Sequence, residues 1–137
     1  MVKRILFICT HNSARSQMAQ GLVNHFYGDN WQAVSAGTEK TLVKPLAIAA
    51  MADLGIDISH HTSKTLDRYI NQPFDYVVTL CDTARETCPF FPGAGQQVHA
   101  GFADPSDVGG TEAEQLQAFI QTRDEIRAWL DTTPPSW

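Results

Sequence analysis

The chain has 137 residues, of which 43% are hydrophobic and 18% charged, enough apolar material for a core and too much for a disordered or fibrous chain. Ten Lys and Arg stand against 15 Asp and Glu, a net charge of −5 without any basic run, which argues against a nucleic-acid partner. The apolar run near the N-terminus, Ile5 to Cys9, is too short for a signal sequence or a membrane span, so a cytoplasmic, monomeric chain with no membrane contact is expected.

In that compartment the three cysteines read as working thiols rather than as a disulfide framework. No repeat, low-complexity tract or Pro/Gly/Ser linker divides the sequence, and residues 1–137 are expected to form one domain.

Taken in chain order, Lys3 to Ile8 is an apolar run without helical period and reads as a buried parallel strand. Cys9 to Ser13 follow as a loop. A helical pattern then places Met18, Leu22 and Phe26 four apart, with Gly28 closing it. Trp31 to Ser35 is a second strand, ended by Ala36-Gly37. Pro45 suits a helix N1 position, Leu46 to Leu54 is apolar and Ala-rich, and Gly55 stands where a C′ residue belongs. A short helix is expected around Leu66 to Asn71, a third strand at Asp75 to Leu80, and a fourth, short strand at Gln97 to Ala100. The last helix spans about Glu112 to Leu130, with Leu116, Phe119, Ile120, Ile126 and Leu130 as its buried stripe and Arg123 interrupting it; Pro134-Pro135 stops it.

Strands alternating with helices predict an α/β three-layer sandwich around a parallel sheet with helices on both faces; a four-stranded sheet in the order 2-1-3-4 is expected. Right-handed crossovers bring the C-terminal ends of the strands to one edge, where ligands bind. Cys9 follows the first strand, Cys81 the third, and Asp104 lies just beyond the fourth. Topology alone therefore gathers them.

Cys9-Thr10-His11-Asn12-Ser13-Ala14-Arg15-Ser16 lies between a strand and a helix. The backbone N–H groups of Thr10, His11, Asn12, Ser13, Ala14 and Arg15 at a helix N-terminus offer an anion site. The same donors favour a thiolate at Cys9. Arg15 supplies a planar fork for a tetrahedral oxyanion, and Ser16 can donate a hydrogen bond to the sulfur. A thiolate beneath a bound oxyanion is set for in-line attack on its central atom. Asn12 suits a left-handed backbone in the loop. His11 could act as a base, but a loop-tip position favours a solvated side chain.

This loop with its continuation Gln17-Met18-Ala19, Ser35-Ala36-Gly37, Gly55-Ile56-Asp57-Ile58-Ser59-His60-His61-Thr62-Ser63 and Val78-Thr79-Leu80-Cys81 resemble the thioredoxin-coupled arsenate reductases, a family that shares its fold with the low-molecular-weight protein tyrosine phosphatases. The resemblance extends through Phe102-Ala103-Asp104-Pro105 and Arg123-Asp124-Glu125-Ile126, nearly the whole chain.

Cys81 and Cys88 are seven residues apart. On an intact helix that spacing means about 10.5 Å of rise, whereas a disulfide needs Cα atoms within roughly 7 Å. Either the two never pair, or the segment unwinds when they do. Polar residues between Asp82 and Thr87 give a packed helix few anchors and favour unwinding.

The resemblance implies a relay. Cys9 attacks arsenate, Cys81 attacks Cys9 and releases arsenite, Cys88 attacks Cys81, and thioredoxin reduces the resulting Cys81–Cys88 disulfide. It implies no cofactor. A zinc site built from the three cysteines and a histidine is disfavoured, because the sequence lacks close Cys-x-x-Cys spacing and Arg15 would stand beside the metal.

Asp104 matches the family's general acid through its Asp-Pro motif, with Pro105 holding it extended. Asp107 is a solvated neighbour. Tyrosine phosphatases of this fold carry aromatic residues after that motif. Here Ser106-Asp107-Val108-Gly109-Gly110 follows, so a small inorganic oxyanion fits better, with phosphate and sulfate as competitors and weak aryl phosphatase activity as a side reaction.

Some relatives bind potassium behind the loop with Asn, an acid, Ser and a second acid. The matching positions here are Asn12, Gln20, Ser35 and Lys64. Both acids are missing, so no metal site is expected, and Lys64 is expected either to place its ammonium near Asn12 and Ser35 or to lie exposed on the surface. Three other readings remain beside the reductase: a tyrosine phosphatase, a phosphate-sensing or partner-binding module, and a phosphocysteine carrier. The sensor and the carrier have no use for Cys81 and Cys88.

Overall fold

A computed structural model places residues 2–82, 91 and 94–132. The chain runs β1 (Lys3–Cys9), α1 (Arg15–Phe26), β2 (Trp31–Gly37), α2 (Pro45–Asp53), β3 (Phe74–Thr79), β4 (Ala94–His99) and α3 (Glu112–Thr132), with 3-10 turns at Leu66–Arg68 and Pro105–Asp107. The strands form one sheet in the order β2-β1-β3-β4. Every pairing is parallel: Cys9 lies opposite Gly37, Ile8 opposite Thr79, and Thr79 opposite His99.

β1 is central because it is apolar on both sides. Ile5, Leu6, Phe7 and Ile8 are all fully buried. The two-residue period of a strand sends Ile5 and Phe7 to one face and Leu6 and Ile8 to the other. The first face packs against Met18, Leu22, Met51, Phe119 and Ile126, so α1, α2 and α3 all contribute to the larger cluster. The second face meets Tyr69, Phe74, Phe91 and, at its margin, Leu66 of the first 3-10 turn. Burying each large aliphatic side chain contributes roughly 1.5–3 kcal/mol. Among the described residues, no helix is long and apolar enough to cross a membrane.

Several local expectations shift. Phe26 is 41% exposed, although the four-residue spacing predicts burial. Each step of four residues rotates a helix by about 40°, so by its third member the row has turned well off the core face. The Arg127 guanidinium covers the Phe26 ring at 4.3 Å instead. Gly28 is needed for space rather than for a left-handed φ, since a Cβ there would stand 2.3 Å from the Asn24 carbonyl oxygen. β4 begins three residues earlier than its apolar residues suggest, because Ala94 and Gly95 carry no strand signal. Arg123, which breaks the apolar stripe of α3, is itself buried. It donates to the Ala50 carbonyl at 2.7 Å and pairs with Asp53 and Asp124, clamping α3 onto the C-terminal turn of α2.

Candidate active site

At the C-terminal edge of the sheet, the strand–loop–helix formed by β1 and α1 builds a cup. Cys9 ends β1 and is 2% exposed. The carbonyls of the following loop are held from outside. Thr10 accepts from the Glu39 N–H, His11 from the Thr41 and Ser63 hydroxyls, Asn12 from Gln17, and Ser13 from the Lys44 N–H. In a trans peptide the next N–H points opposite to the carbonyl. Fixing these four oxygens therefore turns the N–H groups of His11, Asn12, Ser13 and Ala14 the other way. α1 begins at Arg15 with no side-chain cap and no acidic residue in its first turn, so its positive end is left for a ligand.

Asn12 carries the left-handed backbone expected of it, with φ 49°. Its side chain does more. The amide orientation is fixed because the Lys64 N–H, which can only donate, meets Oδ1 at 2.8 Å. Nδ2 therefore faces Ser16 and donates to its Oγ at 2.8 Å. The same Ser16 oxygen lies 2.8 Å from the Cys9 sulfur. With the sulfur ionised, Ser16 is the donor in that contact.

Gln17 buttresses Asn12 from behind. Its Nε2 donates to the Asn12 side-chain and main-chain oxygens and to the Thr62 carbonyl, and its Oε1 accepts from His61 Nδ1 at 3.1 Å. Burial, with the charges of His60 and Lys64 adding, pushes the His61 imidazole down to about 4, so the ring is neutral at physiological pH and carries its proton on Nδ1. Gly37 closes the base of the loop. A Cβ there would meet the Thr10 oxygen at 2.6 Å, the Cys9 oxygen at 2.8 Å and the Asn12 nitrogen at 2.9 Å. Gln17 and Gly37 were not among the predicted site residues, although both stand within the motifs that carry the resemblance.

Arg15 is buried, and its fork is held on the far side of the cup by the Phe102 carbonyl at 3.1 Å and by the Asp104 carboxylate at 3.6 Å. Asp104 is extended ahead of Pro105, as the sequence predicts, and its other oxygen accepts from the Ser106 N–H at 2.9 Å. A cleft of about 560 Å³ opens beside the loop, lined by His11, Ser13 and Asp104 on one side and Leu42, Val43 and Pro45 on the other. His11 is half-exposed and pairs with Glu39 at 3.2 Å. Asp107 is exposed at the cleft rim.

Cys81 is fully buried two residues beyond β3. The Leu80 N–H donates to the Ile8 carbonyl at 2.8 Å, continuing the ladder one step. Leu80 is thus level with Cys9, and Cys81 is one residue further along the adjacent strand. Strand spacing and rise put the two Cα atoms roughly 6 Å apart, a separation that a disulfide spans once the Cys81 side chain turns toward Cys9, since the strand period sends neighbouring positions to opposite faces. Cys88 and the expected unwinding between Asp82 and Phe91 fall largely outside the described residues.

The potassium set does not form. Gln20 Oε1 accepts from the Ser35 hydroxyl at 2.6 Å, Asn12 Oδ1 is occupied by Lys64 N–H and Gln17, and the fourth position brings an ammonium. Lys64 is 9% exposed rather than lying on the surface, and its Nζ donates to the Thr62 carbonyl at 2.6 Å. A donor set with no carboxylate and a resident cation does not fit a potassium ion.

A parallel sheet whose first strand delivers a cysteine into an amide-lined loop, with an arginine fork above it and an Asp-Pro beside it, defines the class of cysteine-dependent proteins that act on tetrahedral oxyanions. Residues 4–131 match the family model for low molecular weight phosphotyrosine protein phosphatases. The chain is 48% identical over 130 residues to the arsenate reductase of Halalkalibacterium halodurans, covering 95% of this chain and 94% of that one. It superposes on a solved arsenate reductase in the oxidized state with a TM-score of 0.79 at 28% identity, over 95% of each chain. It also superposes on the thioredoxin-dependent arsenate reductase of Corynebacterium glutamicum with a TM-score of 0.68 at 27% identity, over 96% of this chain and 61% of that one. The chain belongs to the low molecular weight phosphotyrosine protein phosphatase family, within its arsenate reductase branch.

Proposed function

We propose that this protein reduces arsenate to arsenite through a three-thiol relay that thioredoxin resets. The carrying observation is the placement of Cys9 and Cys81 on neighbouring strand ends, one residue out of level, with the first sulfur at the floor of the amide-lined loop.

The N–H groups of His11 to Ala14 and the Arg15 fork hold arsenate. The Cys9 thiolate forms a bond to arsenic, and an arsenic oxygen leaves as water with a proton supplied from the side of Asp104. The Cys81 thiolate then attacks the Cys9 sulfur. The sulfur–arsenic bond breaks, its electron pair stays on arsenic, and arsenite departs from a Cys9–Cys81 disulfide. Cys88 attacks the Cys81 sulfur and returns Cys9 as a thiolate. The dithiol of thioredoxin takes over the Cys81–Cys88 bond and is itself oxidised. Two electrons pass from thioredoxin to arsenic in each cycle.

The thioredoxin step draws support from the named relative of Corynebacterium glutamicum. Steady-state NADPH oxidation with arsenate, thioredoxin and thioredoxin reductase tests the whole reading. Turnover dependent on both arsenate and thioredoxin is expected, and its absence with a correctly folded protein would overturn it.

One observation favours a second activity. The cleft beside the loop is far larger than an arsenate ion, and Leu42, Val43 and Pro45 give it an apolar wall. Slow hydrolysis of an activated aryl phosphate through Cys9, Arg15 and Asp104 follows from it, measured as nitrophenol release that Cys9→Ser abolishes.

A further inference from the structure

A buried amine stands among the residues that brace the loop and takes no part in the reaction just described. Lys64 is 9% exposed, and among the described residues no carboxylate pairs with it. The contrast with Arg123 is direct, since that buried cation has Asp53 and Asp124 beside it. An ammonium removed from water without a counter-charge is costly. Burial, helped by the charge of Arg68, pulls the Lys64 amine down to about 8. The charged groups acting on it are Arg68 and, when protonated, His61, both cations.

The polar contacts of Lys64 all lead to the loop. Its Nζ donates to the Thr62 carbonyl, which also accepts from Gln17 Nε2 at 3.0 Å. Gln17 holds Asn12, Asn12 donates to Ser16, and Ser16 contacts the Cys9 sulfur. The Lys64 backbone takes part too: its N–H holds Asn12 Oδ1, and its carbonyl accepts from the Gly37 N–H at 2.9 Å. The side chain is therefore anchored at the same residue that braces the loop from behind.

We propose that Lys64 is a positioning residue that supplies a fixed positive charge to the oxyanion loop, favouring both a thiolate at Cys9 and a bound tetrahedral anion. The charge acts through space and through the Gln17–Asn12–Ser16 chain, without touching substrate. This assignment rests on the reading of the loop as an anion site over a nucleophilic Cys9. Coupling of this kind is reciprocal: the charge tightens anion binding, and a bound anion tightens proton binding at Lys64 by the same factor.

The experiment uses inorganic phosphate as the probe. Phosphate binding is measured by calorimetry, and iodoacetamide alkylation of Cys9 at neutral pH is followed by peptide mass mapping, in the unmodified protein, Lys64→Met and Lys64→Arg. Lys64→Met should weaken phosphate binding and slow Cys9 alkylation, each by about 3-fold or more, and Lys64→Arg should recover part of both. A second measurement needs no variant. In protein labelled with carbon-13 at the lysine Cε, saturating phosphate should move the Lys64 midpoint upward from about 8. Equal phosphate affinity and alkylation rate in Lys64→Met, or a Lys64 midpoint unmoved by saturating phosphate, would overturn the assignment while leaving the anion site standing. Failure of the unmodified protein to bind phosphate would overturn the anion site itself, and the assignment with it.

Discussion

Asn12 and Ser16 are joined by a 2.8 Å hydrogen bond that decides which way the Ser16 hydroxyl can serve Cys9. Asn12 already presents an amide hydrogen to the Ser16 oxygen, so the hydroxyl proton is available to the sulfur 2.8 Å away. A hydrogen bond to a charged group is worth about 1.5–3 kcal/mol, which corresponds to roughly one to two orders of magnitude in rate. Ser16→Ala should therefore lower kcat/KM for arsenate by about 10-fold or more, and should also lower the melting temperature, because it strips the buried Asn12 amide of its acceptor. Steady-state kinetics beside a thermal melt checks this, and an unaltered kcat/KM would show that the contact carries no charge.

Gly37 is the position where the smallest possible substitution should do most harm. The methyl group of Gly37→Ala would sit within 3 Å of two carbonyl oxygens and one amide nitrogen of the loop, all of them backbone. None of the three can swing aside as a side-chain tip could, so the loop itself must move. Overpacking of this kind costs typically 1–3 kcal/mol. Urea unfolding should show a loss of about that size, and phosphate binding should weaken far more than it does in Ser16→Ala.

These two positions show what the sequence revealed and what it hid. The positions of Cys9, Arg15 and Ser16 were legible because they follow from spacing: a strand end, a helix start, and one turn between them. Asp104 was legible because proline fixes the residue before it. The parallel sheet followed from alternating strands and helices. Gln17 and Gly37 were hidden because their work is done across 45 and 28 residues of separation, on the Thr62 carbonyl and on the Cys9 backbone. Nothing in a local pattern marks such a contact. Phe26 misled because a row of residues four apart drifts around the helix, and Arg123 because a guanidinium can be buried when a helix end supplies its acceptors.

His61 gives the fold an acid-side signature. Its imidazole is held down to about 4 against an ordinary 6.5, mainly by burial. Between those values the unfolded chain binds a proton that the folded chain does not, so stability rises with pH across that window. Lowering the pH from about 6.5 toward 4 should remove stability progressively, and below 4 this contribution should level off. His61→Gln removes the titrating group, so its unfolding midpoint in urea should vary less with pH over the same range. The same slope in both proteins would assign the acid sensitivity to other groups.

Potassium should have no specific effect. Ser35 and Gln20 satisfy each other, Asn12 Oδ1 is held by the Lys64 N–H and Gln17, and both acids of the ion-binding set are missing. Melting temperature and turnover are expected to be the same in potassium and sodium chloride at equal ionic strength. A gain seen with potassium alone would overturn this expectation.

The burial of Cys9 and Cys81 explains why a relay between only two thiols would stall. Cys9 is 2% exposed and Cys81 is fully buried, so a disulfide between them offers a thiolate of another protein no line of attack. On the proposed relay a third thiol carries the oxidised pair to a place that thioredoxin can reach, and Cys88 is the remaining cysteine in the chain. Cys88→Ser should therefore release one equivalent of arsenite per protein and then stop, with thioredoxin present. Cys81→Ser should release none. Hydrolysis of an aryl phosphate, which needs only Cys9, Arg15 and Asp104, should survive in Cys88→Ser and vanish in Cys9→Ser. Rapid-quench measurement of arsenite in the first turnover, beside the steady-state rate, separates these outcomes. Continued thioredoxin-driven turnover in Cys88→Ser would mean that the Cys9–Cys81 bond is open to direct reduction, and the third thiol would lose its role.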